Sequence, residues 1–415
     1  MGSLRGLLTT RGKALVGAGV VLLLSGIAFG FVDLIRFGVL GIALPFVAAV
    51  LVRTRRTRMR IERHISPDRI SVGQVAHVTL TVQNLADRST PVFLAEERLD
   101  YALGDRPRFV VGRIAPNHRR AVEYPVRSHI RGHHPLGPLS VQIPDPFGLA
   151  NRNAVLEGST DLVVLPAVHP LSASRQPSSG VGSEGEQARL LALHGEDDMT
   201  VREYRDGDDL RRIHWPSTAR VGDLMVRQED RPSQRRAVLL LDPRPSAHGG
   251  SGATGSFEWA VTALASIGAH LIDSGYAVHL VCVETVDATR AGDPMGRGEI
   301  LDVLAVTQPR ADTGEDDVLR AAQALTDAGG FVVAVVGPSD PEVTARVASL
   351  RQVGTTGLAV VLDAASFGPA PDVDDVGSHV DVLRLAGWRA VPACRGDTIS
   401  RTWDALTTVT VGAGR

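Results

Sequence analysis

The stretch from Arg202 to Glu229 is the densest polar block in the chain. It sets Asp206, Asp208 and Asp209 among Arg202, Arg205, Arg211, Arg212 and Arg220, with a His214-Trp215 pair inside. Clustered carboxylates beside a histidine are the residue types of a general-base or metal site. The same residues also compose a buried ion-pair and hydrogen-bond network, or a docking surface for a partner protein. Against catalysis, no Ser or Cys nucleophile has evident company, and the nearby arginines neutralise the acids. Structural charge networks shift pKa values as catalytic ones do, so polarity alone makes no enzyme. Isolated exposed ion pairs are worth about 0–1 kcal/mol, so the block makes sense as a partly buried interdomain lock or as a docking face.

The candidate partner-binding or interdomain residues are Arg202, Tyr204, Asp206, Gly207, Asp208, Asp209, Arg211, Arg212, His214, Trp215 and Arg220. Asp206-Gly207-Asp208 predicts a turn, because Gly tolerates positive φ and Asp bonds its own backbone. Leu210–Arg212 starts a short helical turn, Ala219-Arg220 leads into a strand, and Leu224–Val226 is that strand. The Asp-Gly-Asp turn and Arg220 are expected to be structural. Arg212, His214 and Trp215 are expected to be exposed, since arginine forks suit carboxylates and a large aromatic suits an interface.

The elements that position this block differ on its two sides. Ala14–Val32 is a nearly unbroken apolar run, long enough for roughly 30 Å of hydrocarbon, and Phe37–Val52 is a second run containing Pro45. Asp33–Arg36 is the expected connection. A second apolar run, and no small-residue cleavage site, argue against a signal peptide. Arg5, Arg11 and Lys13 precede the first run, and Arg53, Arg55, Arg56, Arg58 and Arg60 follow the second, so both ends are expected on the cytoplasmic side. Residues 1–60 carry nine basic groups against Asp33, a net +8; the chain is −2 overall, leaving −10 on the remainder. An acidic soluble part argues against nucleic-acid binding. Lys13 is the only lysine, read here as codon bias.

From Ile61 to Pro166 the hydrophobic period is two: Val78, Leu80 and Val82, then Val122, Tyr124 and Val126, then Leu139, Val141 and Ile143. Turn residues separate these runs, which predicts a small Ig-like β-sandwich. His133-His134 lack companion ligands and point to opposite faces of a strand, so a structural role is expected. Asp145-Pro146-Phe147-Gly148 is expected to tuck Phe147 into the core. After Arg235, continuous apolar strands (Ala237–Leu241, Ala277–Val283, Phe331–Val336, Gly357–Leu362) alternate with helical patterns, one of them capped by Ser256. That pattern predicts a mostly parallel α/β sheet covered on both faces. Trp388 and Trp403 are expected to close it, and Cys282 and Cys394, which lack zinc spacing, to be buried free thiols. The expected domains are a transmembrane hairpin (1–60), the sandwich (61–166), a flexible Ser/Gly/Pro-rich linker (167–198), the polar block (199–233) and the α/β domain (234–415).

The order R-E-Y-x-x-G-D-D-x-R-x-I-x-W-x-x-T-A-R within 202–220 resembles the "domain of unknown function 58" family of bacterial proteins. Arg131-Gly132, Leu136-Gly137-Pro138 and Asp145-Pro146-Phe147-Gly148-Leu149 extend the likeness upstream. The resemblance implies a von Willebrand factor A-like α/β domain and a partner of the MoxR-type AAA+ ATPase class. It implies no reaction. In such domains Asp-x-Ser-x-Ser after the first strand often holds Mg²⁺. Here the stretch is Asp242-Pro243-Arg244-Pro245-Ser246: Asp242 and Ser246 match, while Arg244 puts a cation where a hydroxyl ligand belongs. Asp340 joins only if its loop bends back. Hard cations need several placed oxygens, so Asp242–Arg244 pairing is expected instead of a metal, and no cofactor.

These expectations converge on a membrane-anchored, cytoplasm-facing adaptor or scaffold with two spans in the cell membrane. It would not be an enzyme, and would work with a MoxR-type ATPase in complex assembly or cell-envelope processes. The rivals are a metal-dependent hydrolase using Asp206/Asp208/Asp209 or Asp242, and an envelope-facing structural or carbohydrate-binding module.

Overall fold

The computed structural model describes residues 7–54, 58–171, 200–204, 213, 215–228, 235–310, 315–352, 355–369 and 376–408. Two compact units divide the chain, 1–165 and 166–415.

The first unit opens with two apolar helices, α1 (Thr10–Phe29) and α2 (Val32–Thr54). They run antiparallel, and small residues form their seam. Gly12, Gly19 and Gly26 are the buried residues of α1, seven apart. A Cβ on Gly38 of α2 would lie 2.6 Å from the Leu23 nitrogen and 2.8 Å from the Gly19 carbonyl oxygen. Backbones this close are typical of helices that pack through small residues in lipid. The outer surface is large and apolar: Val21, Leu24, Ile27, Phe37, Val39, Leu40 and Val47 are all exposed. With 20 and 23 residues and mean hydropathies of 1.9 and 2.3, both helices are long and apolar enough to cross a membrane. The connection lies earlier than the sequence suggested. Gly30 ends α1 in the left-handed conformation, at φ 76°, and its N–H bonds to the Gly26 carbonyl. Asp33–Arg36 therefore form the first turn of α2, joined by a 3.1 Å ion pair.

Among the described residues nine strands follow: β1 (Met59–Ser66), β2 (Arg69–Ser71), β3 (Val75–Asn84), β4 (Phe93–Leu99), β5 (Arg108–Val111), β6 (Arg119–Arg127), β7 (Gly132–Pro144), β8 (Asn151–Leu156) and β9 (Thr160–Leu165). They build a three-stranded antiparallel sheet, β1-β3-β6, and a mixed sheet, β2-β9-β7-β4-β5, with β8 on β7. Alternation places Ala76, Val78, Leu80 and Val82 of β3 in the same core as Leu136, Leu139, Val141 and Ile143 of β7. An ion pair joins the two sheets: Arg63 Nη2 on β1 lies 2.8 Å from Glu97 Oε1 on β4, both side chains almost fully buried. His134 is buried with Nε2 2.9 Å from the Ile130 carbonyl and Nδ1 3.2 Å from Asp100, a structural role, while His133 is exposed.

Phe147 is not in the core; it is 60% exposed. The Asp145 carboxylate accepts the N–H groups of Phe147 (2.9 Å) and Ala150 (2.7 Å), which closes a tight loop and turns the ring outward. Gly148 sits at φ 69°, open to glycine at no steric cost.

The second unit carries β10 (Thr200–Glu203), α3 (Trp215–Val221) and β11 (Met225–Gln228) ahead of the α/β part. That part comprises β12 (Arg236–Leu241), α4 (Ser256–Asp273), β13 (Ala277–Val281), α5 (Val283–Asp287), α6 (Arg297–Val306), α7 (Glu315–Asp327), β14 (Phe331–Val336), α8 (Pro341–Ser349), β15 (Gly357–Leu362), α9 (Ala364–Phe367), α10 (Val376–Leu385), β16 (Arg389–Ala393) and α11 (Ile399–Thr407). The five strands β12–β16 are parallel, in the order β13-β12-β14-β15-β16. Every residue of β14 and β15 is buried, as a sheet covered on both faces requires. Trp388 and Trp403 are buried in this unit. Both cysteines are free; Cys282 is buried and Cys394 is half-buried. Ser256 does not cap α4. Gly255 holds the N-cap position, and the Ser256 hydroxyl accepts the Gly249 N–H at 3.0 Å instead.

Candidate functional site

The parallel sheet reverses its winding between β12 and β14. The chain steps from β12 to β13 on one side and returns to β14 on the other. Open sheets of this kind bind ligands outside the carboxyl ends of the strands that flank the reversal. Asp242 follows β12 there, and Gly337 follows β14.

The chain itself occupies this position. Asp242 Oδ1 accepts the Arg244 backbone N–H and Nε, each at 3.0 Å; Oδ2 accepts Arg244 Nη2 at 2.6 Å and the Gly337 N–H at 3.1 Å. Four donors saturate a carboxylate that is almost fully buried. Burial opposes the charge on Arg244, but its bond to Asp242 and the fields of Asp242, Glu315 and Asp340 outweigh that and hold its pKa above the ordinary value. Ser246 is exposed in the turn Pro245–Ala247, and Asp340 is exposed at the N-cap of α8. Among the described residues no cluster of three or more His, Cys, Asp or Glu could hold a metal ion.

The loop after Asp242 is tied down from both ends. His248 Nε2 donates to the Asp242 carbonyl (3.1 Å), and Nδ1 lies 3.2 Å from the Ser256 hydroxyl, from which a neutral ring accepts. Burial pushes its pKa down. Backbone packs on backbone around the loop. A Cβ on Gly337 would lie 1.8 Å from the Ala247 oxygen, and one on Gly249 would lie 1.9 Å from the Ala364 oxygen.

The polar block is placed in part. β10 pairs antiparallel with β11, Arg202 opposite Val226, and the Tyr204 N–H bonds the Leu224 carbonyl at 2.8 Å. Trp215 opens α3 and is 65% exposed; Arg220 is exposed in its last turn. Ala219 and Arg220 are thus helical, and the strand starts only at Met225, whose N–H bonds Thr218 Oγ1 at 3.0 Å. Asp206, Gly207, Asp208, Asp209, Arg211, Arg212 and His214 lie outside the described residues, as do the proposed helical turn at 210–212 and the Arg202 side chain.

Residues 200–329 match the family model described as "Protein of unknown function DUF58". This segment belongs to the DUF58 family. The DUF58 segment includes β10, α3 and β11 together with β12, Asp242, Arg244 and α4, while Gly337 and Asp340 lie beyond it. No curated protein matches the chain. Solved structures with partial likeness include the CARDB domain of a Pyrococcus furiosus protein, in complex with di-metal ions (15% identity, 26% of this chain and 89% of that one, TM-score 0.20). Others are an alpha-2-macroglobulin fragment from Escherichia coli (19%, 29% and 20%, 0.22) and a cohesin module from Clostridium perfringens (14%, 27% and 98%, 0.21). Likenesses at these scores say nothing of how the DUF58 segment works.

Proposed function

We propose that the chain is a membrane-anchored, cytoplasm-facing adaptor or scaffold. Its partner would be a MoxR-type AAA+ ATPase, in protein-complex assembly or a cell-envelope process. The observation that carries this reading is Trp215, a large aromatic left 65% exposed on the DUF58 segment. Exposed tryptophans are costly in water and dominate binding energy when a partner covers them. In this reading the two sheets of the first unit form an Ig-like sandwich. The parallel-sheet unit is von Willebrand factor A-like, with the metal position at Asp242 given over to Arg244.

The test is capture of a MoxR-type ATPase from the same organism, using the full chain in detergent. Trp215→Ala is expected to weaken capture by about 2 kcal/mol, about thirtyfold, with the melting temperature unchanged. An unmodified chain that captures no such ATPase would sink the adaptor reading.

A further inference from the structure

The Asp145-Pro146-Phe147-Gly148-Leu149 loop lies against the helical hairpin of its own unit, and the contacts set its depth. Leu149 and Ala150 share a buried cluster with Ala48 and Ala49, with Leu7, Leu8, Leu15 and Leu44 packed around them. The Thr9 N–H bonds the Leu149 carbonyl at 3.0 Å, and its hydroxyl bonds the Gly148 carbonyl at 2.8 Å. A Cβ on Gly12 would lie 2.1 Å from the Leu149 oxygen, so α1 has no room for a side chain there. At the loop's other end, Pro144, Asp145 and Pro146 line a crevice with Leu51, Val52 and Pro91. The loop therefore lies at the level of Ala48 to Val52 on α2, within about 8 Å of Arg53 along that helix, and at the level of Thr9 and Gly12 on α1, beside Arg11 and Lys13, which is the charged end of the hairpin.

Backbone that borders hydrocarbon is costly to leave without hydrogen bonds. Four of the five N–H groups in this loop find partners within it. Pro144 and Pro146 have no N–H. The Phe147 and Ala150 N–H groups go to the Asp145 carboxylate, and the Gly148 N–H goes to the Asp145 carbonyl at 3.2 Å. The Asp145 N–H goes to the Ala150 carbonyl at 2.9 Å. Asp145 itself is buried. What the loop presents outward is Pro146 and the Phe147 ring.

We propose that the Asp145–Ala150 loop is a second, interfacial membrane anchor, with the Phe147 ring seated in the phospholipid headgroup–acyl boundary beside the hairpin. The proposal rests on the hairpin spanning a bilayer. An anchor of this kind would hold the β sheets of the first unit against the membrane at a fixed tilt.

Three single variants of the full chain, reconstituted in phosphatidylcholine–phosphatidylglycerol nanodiscs with or without brominated acyl chains, test it. Each adds a tryptophan at an exposed position: Phe147→Trp in the loop, Val21→Trp on α1, and Tyr101→Trp. Tyr101 follows β4 at the end of the sheet remote from Asp145, because Leu99 pairs with Leu136 and Leu94 with Gln142. Brominated lipid is expected to quench the emission added at 147 and at 21, relative to the parent, and to leave that at 101 unchanged. Quenching at 21 without quenching at 147 overturns the anchor and leaves the hairpin reading intact. Equal quenching at 101 and 147 also overturns it, since the loop would then be no nearer lipid than the far end of the sheet. Absence of quenching at 21 removes the hairpin from the bilayer, and the anchor with it.

Discussion

His248 makes the loop over the carboxyl edge depend on a neutral imidazole. Its Nε2–H is committed to the Asp242 carbonyl, and its Nδ1 lone pair to the Ser256 hydroxyl, whose oxygen accepts the Gly249 N–H. Protonation would set a second donor against that hydroxyl. Burial pushes the His248 pKa below the ordinary histidine value; it does the same for His270 and His279 in this unit. An unfolded chain takes up these protons near about pH 6.5, while the folded unit resists them until lower pH. Stability is therefore complete above that point and is lost as pH falls from there through the lower, folded-state values. All four tryptophans lie in the second unit, so intrinsic fluorescence of the full chain reports its unfolding. The urea midpoint is expected to fall between about pH 7.5 and about pH 5.5, and to fall less in His248→Gln. A midpoint that rises on acidification contradicts this protonation scheme. The Asp242–Arg244 pair was legible in the sequence, because its partners stand two residues apart. His248 was not, since it binds a backbone carbonyl and a serine eight residues away. The Arg63–Glu97 pair was hidden for a similar reason: 34 residues and two sheets separate its members.

Elements were legible where the hydrophobic period was clear. Two-residue alternation marked β3 and β7, and continuous apolar runs marked β12, β14 and β15. Boundaries set by a single glycine or by backbone hydrogen bonds were harder: Gly30 moved the helix connection, and the Thr218 hydroxyl delayed the strand after α3. The hairpin seam was visible in principle as Gly12, Gly19 and Gly26, seven apart, but hydropathy alone does not separate a seam from a lipid face. Two glycines now give that seam a controlled test. A Cβ on Gly38 would meet the Leu23 and Gly19 backbones, whereas one on Gly17 meets nothing within 4 Å. Gly38→Leu is therefore expected to force the helices apart at a cost of about 1–3 kcal/mol, seen as a lower thermal-aggregation temperature in detergent. Gly17→Leu should match the parent. Equal behaviour of the two variants would mean that close packing at Gly38 does not stabilise the hairpin.

At the scale of the whole molecule, side choice decides which partners are reachable. The loop between α1 and α2 is Gly30-Phe31, and the nearest charges at that end are Asp33 and Arg36. The opposite end gathers Arg5, Arg11 and Lys13 before α1, and Arg53, Arg55, Arg56, Arg58 and Arg60 after α2. Positive charge close to a span is retained on the cytoplasmic side, so an asymmetry this large predicts a spanning hairpin with its turn outside. Among the described residues only these two helices are long and apolar enough to span. The β sheets of the first unit and the second unit are then expected in the cytoplasm, within reach of a cytoplasmic ATPase. A reporter enzyme active only outside the cytoplasm, fused after Arg415, should stay silent in cells. Phe31→Cys, exposed at the turn, should react with a membrane-impermeant maleimide added to intact cells, and Tyr101→Cys should react only after lysis. Strong reporter activity with the labelling reversed would place Trp215 and the DUF58 segment outside the membrane. The ATPase could not then be the partner, and an envelope-facing binding module would become the reading to test.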